Sequence, residues 1–225
     1  MKHLLEGIQR FQKNVFPEYK LLFRELALKQ KPQALFITCS DSRIVPEMLT
    51  QTNPGDLFIC RNAGNIVPPY DGRAGDVAAT IEYAVAVLKV ANIIICGHSD
   101  CGAMKGILNP ESTRGIPIVA RWLRHGEGAK RMVDENHDCI EEHTKLQCLT
   151  EENVIAQLEN LKTHPSVAVA LARGDLQLYG WIYQISTGEF SSYDISLGRF
   201  VRIDGSIASA TPAPRFRRQQ PEAAA

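Results

Sequence analysis

Short apolar runs alternate with stretches of helical periodicity along most of the chain. Three of these runs are nearly free of polar side chains, which is typical of strands buried on both faces of a sheet. They cover residues 34–38, 56–60 and 93–96. A further strand is predicted over 176–186, and residues 190–195 are expected to pair back on it after a turn at Gly188.

Apolar residues spaced three or four positions apart predict the helices. The first helix spans 3–16, is broken by Pro17 and is followed by a second helix that Pro32 ends. The apolar positions of the first helix are Leu4, Leu5, Ile8, Phe11 and Val15. The other helices are predicted over 77–88, 116–135, 150–163 and 165–173.

This order of elements predicts an α/β fold with a mainly parallel β-sheet flanked by helices, an N-terminal helical arm and a C-terminal hairpin at the sheet edge. We expect a single domain over residues 1–204, of which 1–31 form the arm. Residues 205–225 are biased toward Ala, Pro, Arg and Gln and cannot bury much surface, so we expect them to form a flexible tail.

The charge balance narrows the classes of function. The 225 residues carry 25 basic and 25 acidic side chains, so no overall charge directs the chain to nucleic acid or to an anionic membrane. No apolar run approaches the roughly 20 residues of a membrane span, and the start of the chain does not resemble a secretory signal. We therefore expect a cytoplasmic protein without nucleic-acid or membrane partners, whose six cysteines are thiols or metal ligands.

Polar clusters follow two of the buried strands. Cys39-Ser40-Asp41-Ser42-Arg43 comes after the first strand, and Gly97-His98-Ser99-Asp100-Cys101-Gly102 comes after the third. Because the carboxyl ends of parallel strands meet at one edge of a sheet, the two clusters should lie together. Two thiolates and one imidazole form a natural zinc set, so Cys39, His98 and Cys101 could hold the ion and leave a fourth position open.

The spacing of these residues leaves alternatives open. His98 and Cys101 are three residues apart and could share a face where a helix starts, and the helix N-terminus would then lower the pKa of the Cys101 thiol. Cysteines at strand ends can equally be small buried residues, and Cys60 and Cys96, inside apolar strands, are interpreted as core. A second metal-site hypothesis concerns a polar stretch further along the chain. Its residues would be His137, Cys139, His143 and Cys148.

Asp41 and Arg43 allow two interpretations. They form either a salt bridge within a turn or a pair in which Arg43 keeps Asp41 ionised, so that Asp41 accepts a hydrogen bond from a metal-bound hydroxide. Charge favours the second interpretation, because a carboxylate beside an anionic cluster would otherwise take up a proton. Other classes fail on spacing: Val45 stands where a Cys-x5-Arg phosphate loop needs arginine, and neither a zinc-deaminase signature nor a glycine-rich nucleotide loop occurs.

Three ordered motifs are similar to those of the β-class carbonic anhydrases. They are the segment from Cys39 to Arg43, the segment Arg61-Asn62-Ala63-Gly64-Asn65, and the segment from Gly97 to Gly102. The resemblance covers about residues 1–200 and implies a zinc lyase that interconverts carbon dioxide and bicarbonate. It also implies a homodimer or higher even oligomer, in which the N-terminal helices embrace a partner.

The resemblance further implies a role for particular residues. It gives one Zn²⁺ per chain, ligated by Cys39, His98 and Cys101, with Asp41 and Arg43 as the catalytic pair. Zinc would lower the pKa of a bound water, and the resulting hydroxide, held by Asp41, would attack carbon dioxide.

Of the forms of this family, the chain resembles the plant-like form more closely, and in particular it resembles bacterial enzymes of the cyanate-degradation type and carboxysomal enzymes. Positions matching Gln30, Phe58 and Tyr83 line the substrate cleft in that form, and Gly102 is assigned to the same substrate site. Gln30 would donate its amide to a substrate oxygen, while Phe58 and Tyr83 would form an apolar wall for carbon dioxide. The chain shows no long carboxysomal extension, so a free cytoplasmic enzyme is expected over a carboxysomal one.

Two other functions compete with this prediction. One is a non-catalytic zinc- or bicarbonate-binding protein on the same fold, and the presence of both Asp41 and Arg43 counts against it. The other is a thiol-redox protein, against which the missing Cys-x-x-Cys motif counts.

Overall fold

The computed structural model describes residues 1–136 and 141–203. The expected tail, residues 205–225, lies outside this part of the chain. The same holds for His137, for Cys139 and for the side chain of His143, so the second metal-site hypothesis falls mainly on residues that are not described.

The strands of the described residues form one six-stranded sheet. They are β1 Ala34–Cys39, β2 Leu57–Asn62, β3 Asn92–His98, β4 Gln177–Tyr183, β5 Phe190–Asp194 and β6 Arg199–Arg202. The order is β2-β1-β3-β4-β5-β6, in which the first four strands are parallel and β5 and β6 are antiparallel additions. The predicted α/β fold, with its parallel sheet and C-terminal antiparallel hairpin, is confirmed. The sequence pattern does not reveal β6, because this short strand begins and ends with exposed arginines.

Nine α-helices surround this sheet in the described part of the chain. They are α1 Lys2–Arg10, α2 Lys20–Leu26, α3 Pro46–Thr50, α4 Asp76–Glu82, α5 Gly102–Leu108, α6 Pro117–Leu123, α7 Glu127–Asn136, α8 Glu142–Thr163 and α9 Pro165–Arg173. Two π-helical turns, Phe11–Val15 and Tyr83–Val87, continue α1 and α4, and the 3₁₀ turns are Pro110–Thr113 and Arg124–Gly126. None of the described helices is long and apolar enough to cross a bilayer.

The helix predicted over 116–135 is wrong as a single element. A 3₁₀ turn that ends at Gly126 separates α6 from α7. The backbone at Gly126 passes so close to α5 that a Cβ there would lie 2.5 Å from Cδ1 of Ile107. A side chain at this position would have to displace Ile107, and glycine itself is a poor residue for the interior of a helix. In contrast, α8 begins earlier than the predicted 150–163. The prediction missed its first turns because they are polar and carry little apolar periodicity.

The main core lies between the sheet and the helices α4, α8 and α9. Alternate residues of β1 and β3 point into this core and pack against Val154, Leu158 and Leu161 of α8. The α8 helix lies unusually close to the sheet, because it crosses β3 and β4 at glycines. A Cβ at Gly97 or at Gly180 would come 2.9 or 2.8 Å from a methyl group of Val154. This contact fixes α8 over the strands that lead to the candidate site.

Candidate metal centre

Three candidate ligands lie at the edge of the sheet where the parallel strands end. Cys39 is the last residue of β1 and His98 is the last residue of β3, and the parallel pairing of these strands brings both ends to the same edge. Cys101 follows after a short turn and is the N-cap residue of α5. The two Sγ atoms and a ring nitrogen of His98 lie within 4.8 Å of one another, and all three residues are buried.

The imidazole of His98 is oriented by the turn that follows it. Its Nδ1 lies 2.8 Å from the carbonyl oxygen of Ser99. Because a carbonyl only accepts hydrogen bonds, Nδ1 carries a proton, and the neutral form of the ring would present a lone pair at Nε2. This Nε2 atom is buried, and no hydrogen-bond partner reaches it within the described residues. An unpartnered buried lone pair is what a metal-ligating histidine presents.

The turn between His98 and Cys101 corrects one expectation. The two residues do not share a helix face, since His98 ends a strand and α5 begins only at Gly102. Asp100 has a φ of 58°, and this left-handed conformation reverses the chain between the two ligands. Ser99 anchors the turn to the end of β4, because its N–H donates to the Tyr183 carbonyl and its Oγ accepts from the Ile185 N–H, both at 2.9 Å.

The sulfur atoms of the two thiols are 3.9 Å apart, so ionisation of one opposes ionisation of the other, and the two thiols differ in proton affinity. The Cys101 side chain, helped by His98 and by the Gly64 amide, lowers the pKa of the Cys39 thiol to about 4. The Cys39 sulfur and burial raise the pKa of Cys101 far above its usual range. The expected lowering of the Cys101 pKa at the helix N-terminus is therefore wrong, because amides of α5 act in that direction but are outweighed. A cation between the sulfurs removes the difference, since metal coordination deprotonates both thiols.

The other buried cysteines behave as core residues. Burial raises the pKa of Cys60 to about 11 and that of Cys96 to about 12, so both stay protonated at neutral pH. Neither belongs to the cluster of candidate ligands.

Arg43 holds the carboxylate of Asp41 with two prongs of its guanidinium group. Its Nε lies 2.9 Å from Oδ1 of Asp41, and its Nη2 lies 2.8 Å from Oδ2. These hydrogen bonds keep the pKa of the Asp41 carboxyl well below its usual range. Oδ2 of Asp41 also lies 3.9 Å from Nε2 of His98. An ionised hydrogen-bond acceptor therefore stands directly beside the candidate ligands.

Further contacts fix this loop, and the sequence pattern alone does not reveal them. Nη1 of Arg43 lies 3.1 Å from the Asp100 carboxylate, which Lys105 also contacts. Arg61 of β2 donates to the backbone carbonyls of Cys39 and Asp41 at 3.1 and 2.7 Å. Arg61 and Asp100 stand within the quoted motifs, but the partners of Arg61 lie 20 and 22 positions away and Arg43 lies 57 positions from Asp100.

The predicted substrate residues are not gathered at this cluster within one chain. Phe58 and Tyr83 do contact each other, with ring centroids 5.9 Å apart. However, Phe58 pairs with Leu35, four residues before Cys39, which places it about 13 Å from the edge of the sheet that carries the cluster. Gln30 precedes β1 and is exposed at the opposite edge. Gly102 is adjacent to the cluster, and no atom would lie within 4 Å of a Cβ at its position.

Comparisons with known proteins point to one family. Residues 34–190 match the family described as carbonic anhydrase. A carbonic anhydrase of Pseudomonas aeruginosa is 50% identical over 203 residues, which cover 90% of this chain and 92% of the relative. A carbonic anhydrase of Synechocystis is 43% identical over 96% of this chain and 79% of the relative.

Solved structures agree with these relatives. The structure of the β-carbonic anhydrase CcaA superimposes with a TM-score of 0.87 at 45% identity, covering 90% of this chain and 98% of that one. A tetrameric β-carbonic anhydrase of Sordaria macrospora superimposes with a TM-score of 0.78 at 31% identity, covering 89% of this chain and 98% of that one.

Loss of both candidate sulfur ligands should abolish metal binding. The double variant Cys39→Ala, Cys101→Ala keeps only one of three donors, so we expect metal analysis to find one zinc per chain in the parent protein and almost none in the variant. The matched control is the double variant Cys60→Ala, Cys96→Ala, which removes two buried thiols outside the cluster and should retain its zinc. Full zinc retention in the first variant would rule out the assigned ligands.

Proposed function

The chain belongs to the β class of the carbonic anhydrase family, and we propose that it hydrates carbon dioxide reversibly to bicarbonate and a proton at a zinc ion held by Cys39, His98 and Cys101. The observation that carries this proposal is the convergence of two sulfurs and one imidazole nitrogen within 4.8 Å in a buried cluster. The relatives support the reaction, and the cluster supports the metal.

Zinc suits this set of donors. Two thiolates and a neutral imidazole balance the charge of one Zn²⁺ per chain, and three protein ligands leave one coordination position open, as in catalytic zinc sites. Nε2 of His98, a buried atom without a hydrogen-bond partner in the described part of the chain, gains a partner when the metal binds. When bound, zinc supplies a Lewis acid that generates a nucleophile from water at neutral pH.

Asp41 acts as a fixed hydrogen-bond acceptor in this proposal. Both of its oxygens are held by Arg43, so the carboxylate cannot rotate, and its Oδ2 faces the cluster. A reacting water or hydroxide that donates a hydrogen bond to Oδ2 would keep its remaining lone pairs free to meet carbon dioxide, and the proton released on hydration leaves to solvent. The second function of Arg43 is electrostatic, because its positive charge keeps Asp41 ionised beside two thiolates.

The N-terminal arm supports assembly with a second copy. An aromatic cluster formed by Phe11, Phe16 and Phe23 holds the arm together, with ring centroids 5.6 to 6.3 Å apart. No residue of α1, α2 or the turn between them is buried, and even the apolar side chains of Leu5 and Ile8 are 55% and 54% exposed. Apolar helical faces of this kind are normally covered by a partner. We therefore propose a homodimer or a higher even oligomer, in keeping with the tetrameric relative.

A second copy also accounts for the substrate residues. Within one chain, Gln30, Phe58 and Tyr83 lie toward the edge of the sheet opposite to the cluster. We propose that they contact substrate in the cleft of the partner, with Phe58 and Tyr83 as the apolar wall. Gly102 stays with its own cluster, where the open space beside its Cα leaves room for the substrate.

The cellular location proposed is the cytoplasm. Cys39, Cys60, Cys96 and Cys101 are free thiols, and a reducing compartment keeps thiols in this form.

Removal of the Arg43 guanidinium should impair turnover without releasing the metal. We expect Arg43→Ala to lose about 10–100-fold in the rate of carbon dioxide hydration, because Asp41 loses both its orientation and its favourable charge. The measurement is stopped-flow hydration on protein of confirmed zinc content. Arg114→Ala is the control, since the Arg114 side chain is exposed and its guanidinium lies 3.9 Å from Glu111. Unchanged rates in zinc-replete Arg43→Ala would reduce this pair to a salt bridge within a turn.

Charge on the arm should separate the subunits. The double variant Leu5→Glu, Ile8→Glu places two carboxylates on the apolar face of α1, so we expect sedimentation at several concentrations to show monomers in the variant and dimers or tetramers in the parent. Lys13→Glu changes an exposed charge on the same arm and should leave the assembly intact. A parent protein that sediments as a fully active monomer would contradict the proposed assembly.

A further inference from the structure

The peptide group that joins Ala63 to Gly64 lies between a tryptophan and a candidate metal ligand. Its N–H belongs to Gly64 and points at Sγ of Cys39, with an N–S distance of 3.4 Å. Its carbonyl oxygen belongs to Ala63 and accepts a hydrogen bond from Nε1 of Trp122 at 2.8 Å. One planar peptide unit therefore connects the indole of α6 to a sulfur atom of the cluster.

The surroundings allow this peptide one orientation. Gly64 has a φ of 82°, in the left-handed region, and a Cβ at this position would lie 2.9 Å from the Cβ of Ala103. Glycine is therefore required for the backbone to approach α5 closely enough to reach the sulfur. The next carbonyl, that of Gly64, accepts a hydrogen bond from Nδ2 of the buried Asn153 at 3.1 Å. Helices α6 and α8 thus hold the loop from two sides.

A hydrogen bond at one end of a peptide group strengthens the bond at the other end. The indole N–H polarises the Ala63 carbonyl, and the same shift of electrons makes the Gly64 N–H a better donor. A hydrogen bond to a thiolate withdraws electron density from the sulfur, and such bonds tune the properties of a bound metal.

We propose that Trp122 is a positioning residue for the metal centre. Through the Ala63–Gly64 peptide, its indole N–H sets the strength of the hydrogen bond to Cys39 and therefore the electron donation of that sulfur to the metal. This inference rests on the zinc site proposed above. It gives Trp122 a role that is separate from its packing, which places its ring 5.5 Å from that of His125 and against the hydrophobic core.

The test has to remove the N–H and keep an aromatic ring at this position. Trp122→Phe does so, and Trp181→Phe is the matched control, because Trp181 makes ring contacts with Phe36 and Phe190 on the other face of the sheet. Both variants and the parent are loaded with Co²⁺, whose absorption spectrum contains thiolate-to-cobalt charge-transfer bands. We expect these bands to move to longer wavelength in Trp122→Phe, because the Cys39 sulfur becomes richer in electrons. The bands of Trp181→Phe should coincide with those of the parent.

The outcomes of this experiment distinguish a failure of the role of Trp122 from a failure of the metal site. Unshifted bands in folded Trp122→Phe overturn the role of the indole N–H, and so does an equal shift in Trp181→Phe. If the parent itself shows no thiolate-to-cobalt band, the metal site of the proposed function fails instead. If Trp122→Phe does not fold, benzothienylalanine at position 122 replaces the N–H by sulfur with almost no change of shape. The same shift is expected there, and its absence overturns the proposal.

Discussion

Parallel pairing of β1 with β3 is the interaction on which the candidate site depends. Each strand supplies one candidate ligand from its last residue, and the register that aligns Thr38 with Cys96 brings Cys39 and His98 to the same edge. An antiparallel arrangement of the same residues would place them at opposite edges. The pairing is stable because both strands are buried and because α8 packs closely over β3 and β4 at Gly97 and Gly180. The chemistry is therefore a consequence of how the core is packed.

Burial of two sulfurs beside a carboxylate creates an electrostatic problem that the surrounding loops solve. The Gly64 N–H reaches the Cys39 sulfur, and the guanidinium of Arg43 faces Asp41 on one side and Asp100 on the other. The raised pKa of Cys101 shows that these loops do not supply enough positive charge, because two thiolates 3.9 Å apart are tolerated only with a cation between them. The same arrangement that disfavours the doubly ionised pair thus favours binding of a divalent metal.

The apolar runs were sufficient to predict the parallel sheet, because strands such as β1 and β3, which are buried on both faces, contain almost no polar residues. Cys39, His98 and Cys101 could be predicted to lie together for the same reason, since they stand at or just after the ends of two such strands. Properties that depend on distant neighbours could not be predicted. The pKa of Cys101 is governed by a sulfur 62 positions away, and the hydrogen bond of Trp122 spans 59 positions. The resemblance supplied Phe58 and Tyr83, but their distance from the cluster follows from the register of β2 and only the fold reveals it.

The central claim is that the buried cluster of Cys39, His98 and Cys101 holds a zinc ion that the hydration reaction requires. It is tested most directly by measuring carbon dioxide hydration with the full chain before chelation, after a strong chelator has removed its metal, and after stepwise return of zinc. The account predicts that activity disappears with the metal and returns in proportion to zinc, reaching its full value at one ion per chain. Undiminished hydration by the metal-free chain, or none by the chain with one zinc bound, would contradict it.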